Sequence, residues 1–377
     1  MTVKIERKGD CKTMGKMSLE ETIGQISALD EQAMEVARKR WDSIAKPLNS
    51  LGMMEEMIVQ IAGMTGETSV DVQKKALVEM CADNGVVEEG VTQTGQEITA
   101  LVAENFLKGE TVACTMCRQA HADVVPIDVG MAVDTKVPRY KSAYGTQNFV
   151  KGPAMTREQA VEAIEAGIQV AGELAQKGYR LLAMGEMGIG NTTTSSAVAS
   201  VLLQAPVEDM TGRGAGLSSE GLKRKIQAIK KGIEVNQPDP QDPIDVLRKV
   251  GGFDIAALAG LCLGGALNRI PVLMDGFISG VAALIAVRLC PAVSGYLIAS
   301  HVSKEPAAVQ VLEAMGKEAM IHGKMCMGEG TGAAALFPLL DMAATIYNTM
   351  STFEDIHMDQ YEPVSYTHLR AHETLRH

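Results

Sequence analysis

Short apolar runs recur along this chain. Each breaks off at a polar or glycine-bearing turn, and a helical pattern follows. Residues 76–81 run into Ala82-Asp83-Asn84-Gly85, 124–129 into Gly130, and 179–184 into Gly185-Glu186-Met187-Gly188. Residues 271–274 lead to Asp275-Gly276-Phe277, and 297–299 to Ser300-His301. Strand, turn and helix in repetition mark a parallel sheet wrapped by helices, an α/β fold. Such sheets bind ligands at the carboxyl ends of their strands, where the polar turns of this chain fall.

Helical patterns flank the strand series. Residues 18–45 predict one amphipathic helix with Ile23, Ile26, Met34, Ala37 and Trp41 on its apolar side, ended by Lys46-Pro47. Residues 52–64 predict a second helix, and residues 101–122 and the stretch after Phe337 also read as helical. The expected division is 1–65 as N-terminal helices of a small domain, 66–336 as a large α/β catalytic domain, and 337–362 as a C-terminal helix returning to the small one. Residues 363–377 carry His368, His372, His377, Arg370 and Arg376 with no apolar period. They read as a frayed or non-native tail rather than a metal-binding tract.

Composition narrows the chemistry. The 377 residues are 46% hydrophobic and 21% charged, enough for a sizeable core. Aromatics are 4%, so small residues and the 23 Met fill that core. A net charge of -11 argues against general nucleic-acid binding but leaves room for a local phosphate pocket. Seven Cys, an odd number among apolar neighbours and with no signal-peptide pattern ahead of them, predict reduced thiols and a cytoplasmic location. Cys114 and Cys117 form a CxxC that reads as two buried small residues, since no second pair completes a zinc site. The longest apolar stretch, 272–289, is interrupted by Asp275, Gly276 and Arg288, so no membrane span is expected.

Three glycine-rich segments carry the chemistry. Gly185-Glu186-Met187-Gly188-Ile189-Gly190-Asn191-Thr192 follows a strand and opens a helix, where free N–H groups and a positive dipole end suit a phosphate or carboxylate. It lacks the lysine of a Walker loop. Thr211-Gly212-Arg213-Gly214-Ala215-Gly216, followed by Lys223-Arg224-Lys225, reads either as a second phosphate cradle with a lysine partner or as a mobile loop and a solvated helix. In Met327-Gly328-Glu329-Gly330-Thr331-Gly332 a carboxylate stands between glycines ahead of an apolar helix, beside methionines able to raise its pKa toward that of a general base. Two carboxylates in glycine-rich turns also fit glycoside hydrolysis, although the phosphate-type loops favour a nucleotide over a neutral sugar.

These segments resemble the nicotinate-nucleotide–dimethylbenzimidazole phosphoribosyltransferase family, which acts in assembling the lower ligand of cobalamin. The resemblance runs from Lys46-Pro47-Leu48-Asn49-Ser50-Leu51-Gly52 to Phe353. It includes Ala82-Asp83-Asn84-Gly85-Val86, Gly152-Pro153-Ala154-Met155, Asn236-Gln237-Pro238, Gly251-Gly252-Phe253-Asp254, Asp275-Gly276-Phe277, Ser300-His301 and Gly328-Glu329-Gly330. It implies a Rossmann-like sheet, a small helical domain made from both chain ends, a homodimer, and transfer of phosphoribose from nicotinate mononucleotide to a benzimidazole-type base with no metal or cofactor. By the same resemblance Glu329 is the catalytic base and Glu186 a second active-site acid. Gly188, Gly190, Asn191, Thr192, Gly212, Gly214 and Lys225 are implied to contact phosphate and ribose, and Asp83 and Met327 the base. Asn84 stands where the family often has His, and Gln93, Thr94 and Gln96 lie in a variable segment, so the accepted base is left open.

Two other classes compete. A sensor that binds without turnover would have no need of both carboxylates, and an oxidoreductase would show a GxGxxG turn with a following ribose-binding acid. Release of nicotinate from nicotinate mononucleotide in the presence of the base separates all three. Because residues 363–377 have no packing pattern, deleting them is expected to leave activity and Tm essentially unchanged. A large fall in either would show the tail to be part of the fold.

Overall fold

A computed structural model describes residues 17–361. The tail expected to be foreign therefore lies outside the described residues. Five strands form one parallel sheet: β1 (Lys75–Ala82), β2 (Asp123–Gly130), β3 (Leu181–Met187), β4 (Val272–Met274) and β5 (Leu297–Ala299). Their order is β2-β1-β3-β4-β5. All five apolar runs seen in the sequence are strands. Nearly every strand residue is buried, as a sheet covered on both faces requires. The order of strand addition reverses between β1 and β3, which opens a crevice at their carboxyl ends. The strand β3 runs three residues past residue 184, where its apolar run ends, so Glu186 is still held by sheet hydrogen bonds when it reaches that crevice.

Helix Phe253–Leu267 is buried on every side and crosses helix Arg157–Gln176 at backbone contact. A Cβ on Gly260 would lie 1.9 Å from the Ile164 carbonyl oxygen, and one on Gly167 would lie 1.9 Å from that of Ala257. These two glycines let the helices approach closely, and their contact anchors the start of helix Phe253–Leu267, which carries Asp254, beside the sheet.

Two helical expectations need correction. Residues 18–45 form two helices, Leu19–Gln25 and Glu31–Ser43. Asp30 starts the second by accepting the Ala33 N–H at 2.9 Å, a cap signal stronger than the continuing amphipathic period. Residues 101–122 likewise contain Glu97–Lys108 and Val112–Gln119, separated at Gly109 (φ 75°) and capped by Thr111. Cys114 and Cys117 are both buried on the second of these. The chain ends meet. Arg40 donates to the carbonyls of Tyr347 (3.1 Å) and Met350 (2.7 Å), and the Trp41 and Tyr347 rings pack at 5.3 Å. The last helix, Thr331–Thr349, runs unbroken through the expected 336/337 boundary.

Gly260→Ala is expected to cost about 3 kcal/mol in urea unfolding, because the two helices must separate. Gly172→Ala, on the same pair but with open space around it, should cost nothing and gain up to about 1 kcal/mol from helix propensity. Equal effects at the two positions would show that the crossing is not close-packed.

Candidate active site

A cavity of about 480 Å³ opens over the carboxyl ends of β3, β4 and β5. The turn after β3 contributes Glu186, Gly188 and Asn191, the ends of β4 and β5 contribute Asp275 and His301, and residues 326–329 close one side. Arg213, Gly214 and Ala215 line another side, and residues 91–94 with Ile98 and Val102 face in from the β1 side.

Glu329 occupies an unusual backbone. Gly328, Glu329 and Gly330 all have positive φ, at 81°, 53° and 61°. A glutamate in the left-handed region is strained, and flanking residues with a Cβ would compound that. Gly328 is needed for a second reason: a Cβ there would lie 2.6 Å from Oε1 of Glu186. A Cβ on Gly330 would collide with Leu77 of β1 at 2.2 Å. The turn is thus pressed between Glu186 and the sheet. Oε2 of Glu329 is buried with no hydrogen-bond partner. Burial raises its pKa, and the backbone N–H of Ala113 partly opposes that shift.

Asp275 fixes the turn from its far side. Its Oδ1 accepts the N–H groups of Gly332 (2.7 Å) and Ala333 (3.1 Å), capping helix Thr331–Thr349 two residues beyond Glu329. His301 Nδ1 lies 3.7 Å from the same oxygen, and Gly332 has no room for a Cβ beside that ring. Burial raises the pKa of Asp275, while the His301 charge and the capped N–H groups pull it down.

Asn191 opens helix Asn191–Leu202 and uses its side-chain amide to bridge two acids. Nδ2 donates to Oε2 of Glu186 and, at 3.0 Å, to Oδ2 of Asp254. Below them Glu79 of β1 is wholly buried, with neither carboxyl oxygen hydrogen-bonded, against Gly185. Burial, followed by the charges of Glu329 and Glu186, holds its pKa well above the ordinary range.

The structure brings most of the sequence candidates together. Glu186, Gly188, Gly190, Asn191, Thr192, Gly214, Met327 and Glu329 all line the cavity. Asp83, Gly212 and Lys225 stand behind its wall. Asp83 accepts the Ala132 N–H at 2.7 Å, facing the β2 side. Lys225 is fully buried and donates to Thr192 Oγ1 (2.8 Å) and the Gly212 carbonyl (3.2 Å). Burial lowers its pKa to about 8. It therefore ties the two glycine-rich loops together from beneath. Asp254, Asp275, His301 and Glu79 received no role from the sequence. The first three follow a glycine pair or a strand end, which was the available signal.

The chain has close relatives. A family model described as phosphoribosyltransferase matches residues 26–357. The nicotinate-nucleotide–dimethylbenzimidazole phosphoribosyltransferase of Acetivibrio thermocellus is 50% identical over 346 residues, covering 91% of this chain and 99% of the relative. That of Ruminiclostridium cellulolyticum is 50% identical over 351 residues, covering 92% and 100%. The crystal structure of CobT from Thermus thermophilus superposes with a TM-score of 0.83 at 36% identity, covering 88% of this chain and all of that one.

Lys225→Ala unties Thr192 from Gly212. It is expected to raise the apparent KM for a phosphate-bearing substrate about tenfold more than for a substrate without phosphate, the usual worth of a hydrogen bond to a charged group. Equal effects on both would show that the loops it joins do not bind phosphate.

Proposed function

Because the chain belongs to the nicotinate-nucleotide–dimethylbenzimidazole phosphoribosyltransferase family, we propose that its cavity transfers phosphoribose from nicotinate mononucleotide to 5,6-dimethylbenzimidazole or a related base, with Glu329 as the general base. The products are α-ribazole 5'-phosphate and nicotinate, the step that supplies the lower-ligand nucleotide of cobalamin. The observation that carries the assignment is the Glu329 carboxylate: half-buried, without a partner on Oε2, and strained into a wall shared with two phosphate-type loops.

One benzimidazole nitrogen attacks C1' of the ribose as the bond from C1' to the pyridinium nitrogen breaks. The bonding pair returns to the ring, so nicotinate leaves without needing a proton. Glu329 takes the N–H proton from the other benzimidazole nitrogen. Attack opposite the leaving group converts a β- to an α-nucleotide. The loops Gly188–Thr192 and Arg213–Ala215 hold phosphate and ribose, and Met327 borders the base. The remaining catalysis is the alignment of two rings about one carbon. A homodimer and a cytoplasmic location belong to the same proposal. The family resemblance supports the dimer. No described helix is long and apolar enough to cross a membrane.

Glu329→Gln keeps the size of the side chain but cannot accept a proton. Turnover is expected to fall by about 10²–10⁴-fold with both substrates still bound. Since burial raises the pKa of Glu329, the wild-type enzyme should gain activity with rising pH along a limb lying above the ordinary carboxylate range, and that limb should vanish in the variant. Near wild-type turnover in Glu329→Gln, and in its combination with Glu186→Gln, would mean that catalysis rests on positioning alone.

A further inference from the structure

The bridge through Asn191 distinguishes two acids that otherwise look alike. An amide nitrogen has two hydrogens and accepts nothing. Both hydrogens are committed here, so Oε2 of Glu186 and Oδ2 of Asp254 must each act as an acceptor. Both oxygens of Asp254 accept, Oδ2 from Asn191 and Oδ1 from the Ile255 N–H at 3.0 Å, and donors on both oxygens favour its ionised form. Glu186 differs: its Oε1 lies against Gly328 on the cavity wall and takes no donor among the described residues.

We propose that Asp254 is a positioning residue which, through Asn191, keeps Glu186 as the protonated acid of the cavity, so that Glu186 donates a hydrogen bond to the nucleotide and leaves Glu329 as the only base. The carboxyl proton resides on Oε1 of Glu186. Asp254 is fully buried at the start of helix Phe253–Leu267, two backbone-contact glycines away from any freedom to shift. Asp275 and Glu329 bear on Glu186 from the ends of β4 and the last helix, and Asp83 bears on Asp254 from the end of β1. Glu79 lies beneath on β1, His301 is beside Asp275, and Arg213 lines the far wall. The Asn191 hydrogen bond favours the ionised form of each acid, while the surrounding carboxylates favour a proton on Glu186, which has the oxygen without a donor. Burial is the largest influence on both acids, and it raises Glu186 well above its ordinary value but Asp254 only to about 6. The ordering agrees with the hydrogen bonds. A second ionised glutamate would repel a nucleotide that brings its own phosphate and carboxylate, whereas a protonated one supplies a donor.

The inference rests on Glu329 as base, but its test reads a different limb. kcat/KM for nicotinate mononucleotide should fall at high pH as Glu186 loses its proton. Asp254→Asn removes the adjoining charge and should move that basic limb down by about one pH unit, tenfold in proton affinity. Glu186→Gln should abolish the limb, and Asp254→Asn added to it should then move nothing. An infrared difference between wild type and Glu186→Gln at neutral pH should contain a protonated-carboxyl C=O band, which keeps the proposal testable should Asp254→Asn fail to fold. An absent band, a basic limb unmoved in folded Asp254→Asn, or one that survives Glu186→Gln and still moves would each overturn it. Failure of the Glu329 reading would appear instead in the acid limb and in the turnover of Glu329→Gln.

Discussion

Carboxyl groups crowd the strand ends of this protein, and the placing of protons among them governs the rest of the site. Glu79, Glu186, Asp254, Asp275 and Glu329 all have raised pKa values, with burial as the largest cause in every case. Several ionised acids cannot share so small a volume of low dielectric. Each must be protonated, capped by N–H groups, or hydrogen-bonded. Asp275 is capped by the start of a helix, Asp254 is held by an amide and a backbone N–H, and Glu79 has no such help. Glu329 is the exception: it is only partly buried, it lines the cavity, and its Oε2 has no hydrogen-bond partner.

The backbone supports that division of labour. Three successive left-handed residues bring Gly328 against Glu186, and Asp275 locks the helix that follows. Strain of this kind persists only where surrounding structure over-determines it. Here the over-determination is visible on both sides: Leu77 of β1 leaves no room at Gly330, and the His301 ring leaves none at Gly332. Lys225 plays a comparable part for the phosphate-type loops, since its ammonium joins Thr192 to Gly212 without entering the cavity.

The strands were legible because a sheet buried on both faces leaves continuous apolar runs, and the loops were legible because glycine next to a carboxylate has few structural excuses. Helix breaks were harder. Asp30 and Thr111 interrupt stretches whose amphipathic period continues across them, and one capping hydrogen bond outweighs that period. The roles of Asp254 and Asp275 depend on partners 63 and 57 residues away, a proximity that no local pattern carries. Lys225 was expected at the phosphate through the family resemblance, since its loop and basic stretch alone read equally as a solvated helix. Only packing shows its ammonium turned under the loop. Glu79 was hidden within an otherwise apolar strand, where a single polar residue does not disturb the pattern.

A wall rich in acids has a further consequence along the reaction coordinate. Nicotinate mononucleotide carries a positive charge on its pyridinium ring. As the bond to C1' lengthens, that charge passes to the ribose, and as the incoming nitrogen attaches, it passes to the benzimidazole. The positive charge therefore moves toward the incoming base, and loss of that base's N–H proton neutralises it. Carboxylates fixed in place stabilise such a migrating charge more than water can, since they need no reorganisation as it moves. Once the charge is gone, the nicotinate ring is no longer a cation and loses its attraction to the wall. The same carboxylates that favour the substrate's charge thus favour departure of the product.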